Sequence, residues 1–237
     1  MELTETEERL RAIDLEFAPA VTRFDAANAF AGRVAVLPSA FNPPTIAHLH
    51  MLERALEMDG VTLAAAMLST RNVAKGVVGA SLADRVGMLL AAREEAGWLA
   101  VLAVNAARLV DQAAALTTAF PHADFDFVVG FDTLVRLFDR MYYDEMEREL
   151  EPFFARHRVI AANRGEAGIE RVREFVEAEA GPFGSRIVAL EIDERPASLS
   201  STAAREAVTA GIEPGDVPAA VLAYIKRRRL YEAPLSR

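Results

Sequence analysis

Short apolar runs rich in Val, Ile, Leu and Phe alternate along this chain with longer stretches whose apolar residues recur at helical spacing. Strands buried on both faces read as near-continuous apolar runs, and strands that alternate with helices pair in parallel. The runs Arg33–Leu37, Val61–Leu68, Trp98–Val104, Asp126–Val129, Arg158–Ala162 and Arg186–Ile192 are therefore predicted as strands. Helices are predicted over Thr45–Met58, Leu82–Ala96, Arg108–Ala119, Thr133–Phe138, Glu145–Phe154, Ile169–Ala180, Ser201–Thr209 and Val217–Arg228. This order predicts an α/β class, a parallel sheet of about six strands with flanking helices.

The first residues break the pattern. Leu3, Leu10, Ile13, Leu15 and Phe17 stand among acidic residues, which predicts an amphipathic N-terminal helical extension over residues 1–30. It would pack on the remaining domain, residues 31–237, or on a second subunit of a homo-oligomer; the stretch Met141 to Met146 is a second interface candidate. No internal repeat or low-complexity linker separates further domains.

Composition narrows the classes of ligand. Apolar residues at 52% and charged residues at 26% of 237 suit a globular chain with a large core. A net charge of -9 and a pI near 5.1 count against broad nucleic-acid binding, which requires a surplus of Lys and Arg. A small anionic ligand would need local cations or a metal to hold it against that field. With no cysteine there is no disulfide, thiolate metal site or cysteine nucleophile. An acidic start where a targeting peptide would be basic, and no apolar run of about 18 residues, predict a cytoplasmic chain without membrane contact.

In open α/β sheets ligands bind beyond the carboxyl ends of the strands, so the chemistry is sought in the loops after Leu37, Leu68, Val129, Ala162 and Ile192. The first of these is Pro38-Ser39-Ala40-Phe41-Asn42-Pro43-Pro44-Thr45-Ile46-Ala47-His48. Thr45 and His48, three apart, share one face of a helix start, where free N–H groups favour a phosphate. A histidine alone there is more often a cap, and the neighbouring pattern is what directs attention to it. His50 points about 200° away and cannot clamp a metal with His48. His122 and His157 have no ligand-spaced neighbours and read as structural.

Late in the chain, Leu199-Ser200-Ser201-Thr202-Ala203-Ala204-Arg205 places hydroxyls at a helix start and an arginine one turn on. Ser or Thr caps a helix without any ligand, but this set also suits the β- and γ-phosphates of a nucleotide.

Phe41 to His48 resembles the F-N-P-x-[TH]-x-x-H signature of nucleotidylyltransferases of the HxGH type, and its Thr45 variant resembles the nicotinamide mononucleotide adenylyltransferases. Leu199–Arg205 resembles that family's I-S-S-T-x-x-R motif, with Leu for Ile. Val217-Pro218, Val221, Tyr224-Ile225 and Leu230-Tyr231 resemble its C-terminal ending, and Gly130-Phe131-Asp132 its G-x-D turn after the fourth strand. The resemblance implies a Rossmann-like, doubly wound sheet and adenylyl transfer from ATP to a small phosphorylated acceptor, a nicotinamide or nicotinate mononucleotide, with Mg2+ carried by ATP. A different phosphorylated acceptor, ATP hydrolysis and a non-catalytic ATP-binding regulator are the alternatives.

The resemblance also implies roles. His48 would donate to the α-phosphate with Thr45 in support, and Ser200, Ser201, Thr202 and Arg205 would hold the ATP phosphates. Ser39, Ala40, Phe41, Lys75 (or Arg71), Gly130, Asp132 and Arg164 would surround the nucleotide or the acceptor. No residue is implied as a dedicated metal ligand. The chain departs from the family at Ser39, where glycine is usual, and beyond the G-x-D turn, where Phe138, Met141, Tyr142 and Tyr143 replace a ring-stacking tryptophan. A third departure is Val104-Asn105-Ala106-Ala107, which stands where relatives are aromatic and acidic; Trp98 is expected in the core.

Overall fold

A computed structural model describes residues 3–26, 29–71, 79–163, 168–192 and 200–232. Among them one seven-stranded sheet runs in the order β1-β4-β3-β2-β5-β6-β7. The strands are β1 (Val21–Arg23), β2 (Gly32–Ser39), β3 (Val61–Ser69), β4 (Leu99–Val104), β5 (Ala123–Gly130), β6 (Arg158–Ala162) and β7 (Ile187–Leu190). All neighbours are parallel except β1, which pairs antiparallel with β4. The Rossmann-like doubly wound sheet is thus present, with one strand more than the apolar runs showed. The extra strand is three residues long, half-buried and at the sheet edge, too short to leave a period-2 pattern.

The helices are α1 (Leu3–Asp14), α2 (Ile46–Leu56), α3 (Leu82–Glu95), α4 (Leu109–Ala119), α5 (Phe131–Leu137), α6 (Met146–Arg156), α7 (Ile169–Glu179), α8 (Ser201–Thr209) and α9 (Ala219–Arg228). Alternate residues of β2 feed two apolar layers. Ala35 and Leu37 join Leu52 of α2, Val86 and Leu89 of α3 and Val221 and Ile225 of α9. Val34 and Val36 join Leu116 of α4, Leu134 of α5, Phe153 of α6 and Val172 of α7. Burial on both faces is why these strands read as continuous apolar runs.

From β2 the chain winds outward through β3 to β4, then returns to pair β5 with the other edge of β2. The order reverses between β2 and β5, and a crevice opens at such a reversal beyond the carboxyl ends of the strands. The N-terminal segment closes the far edge: Leu10 and Ile13 of α1 are buried, and Asn105 accepts the Ala20 N–H (2.6 Å) and donates to the Ile13 carbonyl (2.6 Å). Leu15 and Phe17, which read as part of the apolar face, lie beyond the end of α1 and are exposed. Trp98 is only half-buried, packed against the layer that holds α3. Among the described residues no helix is long and apolar enough to cross a membrane.

Candidate active site

The loop after β2 turns sharply at Phe41, whose backbone adopts a positive φ of 43°. A bulky residue tolerates that conformation only where its surroundings hold it there. Here the ring is 1% exposed and lies 5.1 Å from the His48 ring, centroid to centroid. Phe41 therefore forms the floor under His48.

The next residues are held from several directions. The Ala40 carbonyl accepts from Arg85 (3.3 Å), the Asn42 carbonyl from Arg205 (2.6 Å) and the Pro43 carbonyl from the Ser201 hydroxyl (2.8 Å). The Asn42 side-chain oxygen accepts the Ala80 N–H (3.2 Å) and the Tyr231 hydroxyl (2.8 Å). Gly79 can come this close because it has no Cβ: one would stand 2.8 Å from the Asn42 amide, and its φ is +87°. Burial is the main cause that lowers the Arg85 pKa, and burial raises that of Tyr231. Segments from α3, α8 and the stretch after α9 thus converge on Ala40, Asn42 and Pro43.

Thr45 is the N-cap of α2, and both it and His48 are buried, at 0% and 4% exposure. His48 takes the N3 place of a capping box, where Glu or Gln is usual. Its Nδ1 accepts the Thr45 backbone N–H at 3.1 Å and lies 2.8 Å from the Thr45 hydroxyl. A backbone N–H can only donate, so Nδ1 must offer its lone pair, and the neutral ring carries its proton on Nε2. That Nε2 lies 3.3 Å from the Ser39 hydroxyl at the end of β2.

Ser200 caps α8 by accepting the Ala203 N–H (3.2 Å). Arg205, one turn on, bridges the Asn42 carbonyl, the Ser201 carbonyl (3.1 Å) and the Thr202 hydroxyl (3.2 Å). The two motifs, far apart in sequence, are thereby in direct contact. Ser201 uses its hydroxyl on the loop, while Thr202 is exposed.

Beyond Pro38, Ser39 and Ala40 a cavity of about 230 Å3 opens at the carboxyl ends of β2, β3 and β4. Its far walls come from α4, α5 and the turn before α6, through Arg108, Gln112, Thr133, Arg136, Tyr142 and Tyr143. Thr133, the residue after the G-x-D turn, lines the cavity; Gly130 of the turn caps α5, and Asp132 is exposed on its first turn. Arg71 also lines it. Lys75 and Arg164 lie outside the described residues.

Spacing alone did not reveal Arg108 and Gln112. Arg108 holds Asp111 with two bonds (2.9 and 3.0 Å), Glu149 (2.9 Å) and the Tyr142 carbonyl (2.9 Å), and these carboxylates raise its pKa. It therefore braces the cavity wall. Burial pushes the Tyr143 hydroxyl up to about 12, and that hydroxyl donates to the Leu137 carbonyl (2.8 Å). Gln112 is 2% exposed; its amide N–H donates to the Ala106 carbonyl (3.0 Å), and its Oε1 has no partner among the described residues.

Residues 36–207 match the family model described as cytidylyltransferase-like. A Schizosaccharomyces pombe protein described as a nicotinamide mononucleotide adenylyltransferase is 32% identical over 133 residues, which cover 54% of this chain and 52% of that protein. The chain thus matches about half the length of this curated relative. Two solved structures of the Plasmodium falciparum nicotinic acid mononucleotide adenylyltransferase, complexed with NaAD and with APC, share the fold. Their TM-scores are 0.67 and 0.65, each at 16% identity, over 86% of this chain and 99% and 100% of theirs.

Proposed function

The chain belongs to the cytidylyltransferase-like family, and from that premise we propose that it transfers the adenylyl group of ATP to a pyridine mononucleotide, releasing pyrophosphate and forming a dinucleotide in NAD biosynthesis. The observation that carries the reading is the wiring of His48. With Nδ1 engaged by Thr45, the ring is a fixed donor through Nε2 at the carboxyl end of β2. A donor preorganised toward an oxygen that gains charge in the transition state is what phosphoryl-group chemistry needs from a protein.

In the proposed reaction an oxygen of the acceptor's 5′-phosphate attacks the α-phosphorus in line. A new P–O bond forms as the bond to the bridging oxygen breaks, and pyrophosphate leaves with the electron pair. No covalent enzyme intermediate is required, so catalysis is positioning and charge stabilisation. His48 serves the α-phosphate with Thr45 behind it, and Arg205, Ser200 and Thr202 serve the outer phosphates. Lys75 and Arg164 add positive charge on the nucleotide and acceptor sides. Magnesium arrives as part of the ATP substrate, which compensates for the acidic surface.

The cavity beside Ser39 and Ala40 supports an acceptor of mononucleotide type. Tyr142 and Tyr143 supply aromatic faces where the chain has no tryptophan beyond the G-x-D turn, and tyrosine stacks on a ring as well. The names carried by the curated relative and the structural neighbours support a pyridine ring.

The test is pyrophosphate release from MgATP with nicotinamide mononucleotide, nicotinate mononucleotide or no acceptor. Release that depends on a pyridine mononucleotide is expected, and His48→Ala should lower kcat by about 10² to 10³. Release without any acceptor would reassign the site to hydrolysis, and an unchanged rate in the variant would remove His48 from the chemistry.

A further inference from the structure

We propose that the end of α1 and the segment after it are a working part of the acceptor cavity, with Asp14 and Asn105 as positioning residues that set the wall formed by Ser69, Arg71 and Gln112. The cavity's role as the acceptor site rests on the adenylyl-transfer reading; the clasp itself does not.

Asn105 directly follows β4 and is 2% exposed. Both ends of its side chain are spent on the N-terminal segment. Its oxygen accepts the Ala20 N–H at 2.6 Å; its nitrogen donates to the Ile13 carbonyl at 2.6 Å and lies 3.4 and 3.3 Å from the carbonyls of Glu16 and Ala18. Its backbone N–H donates to the Ala20 carbonyl (3.1 Å). The carbonyl of the next residue, Ala106, takes two other partners, the Gln112 amide at 3.0 Å and the Ser69 hydroxyl at 2.7 Å. A carbonyl has two lone pairs, so this one is fully used. Ser69 and Gln112 both line the cavity. Two consecutive residues, Asn105 and Ala106, therefore join the N-terminal segment to the cavity wall.

A second clasp acts at the end of β3. Asp14, the last residue of α1, accepts the Thr70 hydroxyl on its carboxylate (2.6 Å), and its backbone carbonyl accepts from the Arg71 guanidinium (3.2 Å). That carbonyl is one of the four that an α-helix leaves unpaired at its end, where a cation also suits the helix dipole. The consequence reaches beyond α1, because Arg71 lines the cavity. The bond to Asp14 uses one of five guanidinium N–H groups and leaves the others for an anion. Arg71 is exposed, and without a tether its long side chain would lose its freedom only when a ligand arrives. A tether made on folding lowers that cost of binding. The Asp14 bonds bury little surface, so their loss should appear in acceptor binding more than in stability.

Asn105→Ala would remove several buried bonds and lower Tm, so Asp14 and Thr70 are the informative positions. In the full-length chain, Asp14→Ala and Thr70→Val should each raise KM for the pyridine mononucleotide by about fivefold, the size of one hydrogen bond. KM for ATP and kcat should stay within about twofold. The double variant should match either single variant, because both remove the same bond. Asp14→Asn and Thr70→Ser keep an acceptor and a donor, and each should restore the wild-type KM. Calorimetric titration of nicotinamide mononucleotide, with a non-hydrolysable ATP analogue present, should show the same weakening without turnover. An unchanged acceptor KM in Asp14→Ala, equal rises in both KM values with a lower Tm, or multiplicative losses in the double variant would each overturn the clasp and leave the reaction standing. Weakened mononucleotide binding in Asp14→Ala, with no acceptor-dependent release by wild type, would uphold the clasp and overturn the reaction. A wild-type chain that binds no mononucleotide would overturn both.

Discussion

Alanine in place of a glycine inside a helix usually stabilises it by about 0.5–1 kcal/mol, and Gly87 lies inside α3. The structure predicts the opposite sign. A Cβ on Gly87 would stand 2.5 Å from Cζ and 2.8 Å from Cε2 of Tyr224 on α9, and closer still to its hydroxyl. The phenol ring is rigid, so it must swing as a whole, and its hydroxyl then loses the Asp84 carboxylate at 3.2 Å. Overpacking of this kind costs about 1–3 kcal/mol. The half-buried hydrogen bond adds about 1 kcal/mol. Set against the helix gain, Gly87→Ala should destabilise by about 1–3 kcal/mol, a fall in Tm of about 3–10 °C for a chain of this size.

The two opposing effects separate in a double-mutant cycle. In a Tyr224→Ala background the obstruction is gone, and Gly87→Ala should stabilise by about 0.5–1 kcal/mol. Urea or thermal denaturation of the four proteins measures both signs. A neutral or stabilising Gly87→Ala in the native background, or the same sign in both backgrounds, would refute the reasoning. The contact also matters beyond stability, because the segment after α9 carries Tyr231, whose hydroxyl holds Asn42 in the loop after β2.

Two further outcomes are expected. His157 accepts the Phe125 N–H (3.2 Å), lies 3.1 Å from the Thr117 hydroxyl and is wedged among Phe125, Phe127 and Phe153; burial pushes its pKa down to about 4. The native ring is neutral while the unfolded one takes a proton near pH 6.5, so its contribution is complete above 6.5 and is lost as pH falls toward 4. Between pH 7 and 4.5 wild type should lose about 2–3 kcal/mol more stability than His157→Gln, as read by urea titration; equal losses would refute the assignment. Arg205→Lys keeps the charge but cannot span Asn42, Ser201 and Thr202 with one ammonium, so KM for ATP should rise about tenfold with a lower Tm. Steady-state kinetics with an unchanged KM would count against Arg205 as the brace of the phosphate side.

The parts legible in the sequence are those whose physics is local. Six strands of the sheet carry runs of buried apolar residues, unbroken through all of β4 and through Val34–Leu37 of β2, and such runs are visible without the fold. Thr45 and His48 meet because three residues is one helical turn, and Ser200 caps α8 for the same local reason. The parts that were not legible depend on what folding brings together. β1 is a strand because β4 offers an edge, and Asn105, one residue beyond β4, secures it across 85 residues of sequence. Arg108 read as the start of a helix, and only its neighbours Asp111 and Glu149 reveal it as a wall of the cavity. Ser39 read only as a departure from glycine, and its 3.3 Å distance from His48 Nε2 is visible only once the loop after β2 is folded.

The two halves of the site are built on different principles. On the side of the loop after β2, carbonyls at Ala40, Asn42 and Pro43 are each held by a donor from another segment, so the loop pays its ordering entropy on folding and not on binding. Loop, His48 and α8 form one network, and a change at any brace should alter the others. On the cavity side the walls are side chains from α4, α5 and the turn before α6, with Arg108 neutralised by two carboxylates and Gln112 retaining an acceptor that has no partner among the described residues. Such a wall recognises shape and hydrogen-bond polarity more than charge. Substitutions on the first side should therefore act on ATP and on turnover together, whereas substitutions on the second should change which acceptor is taken.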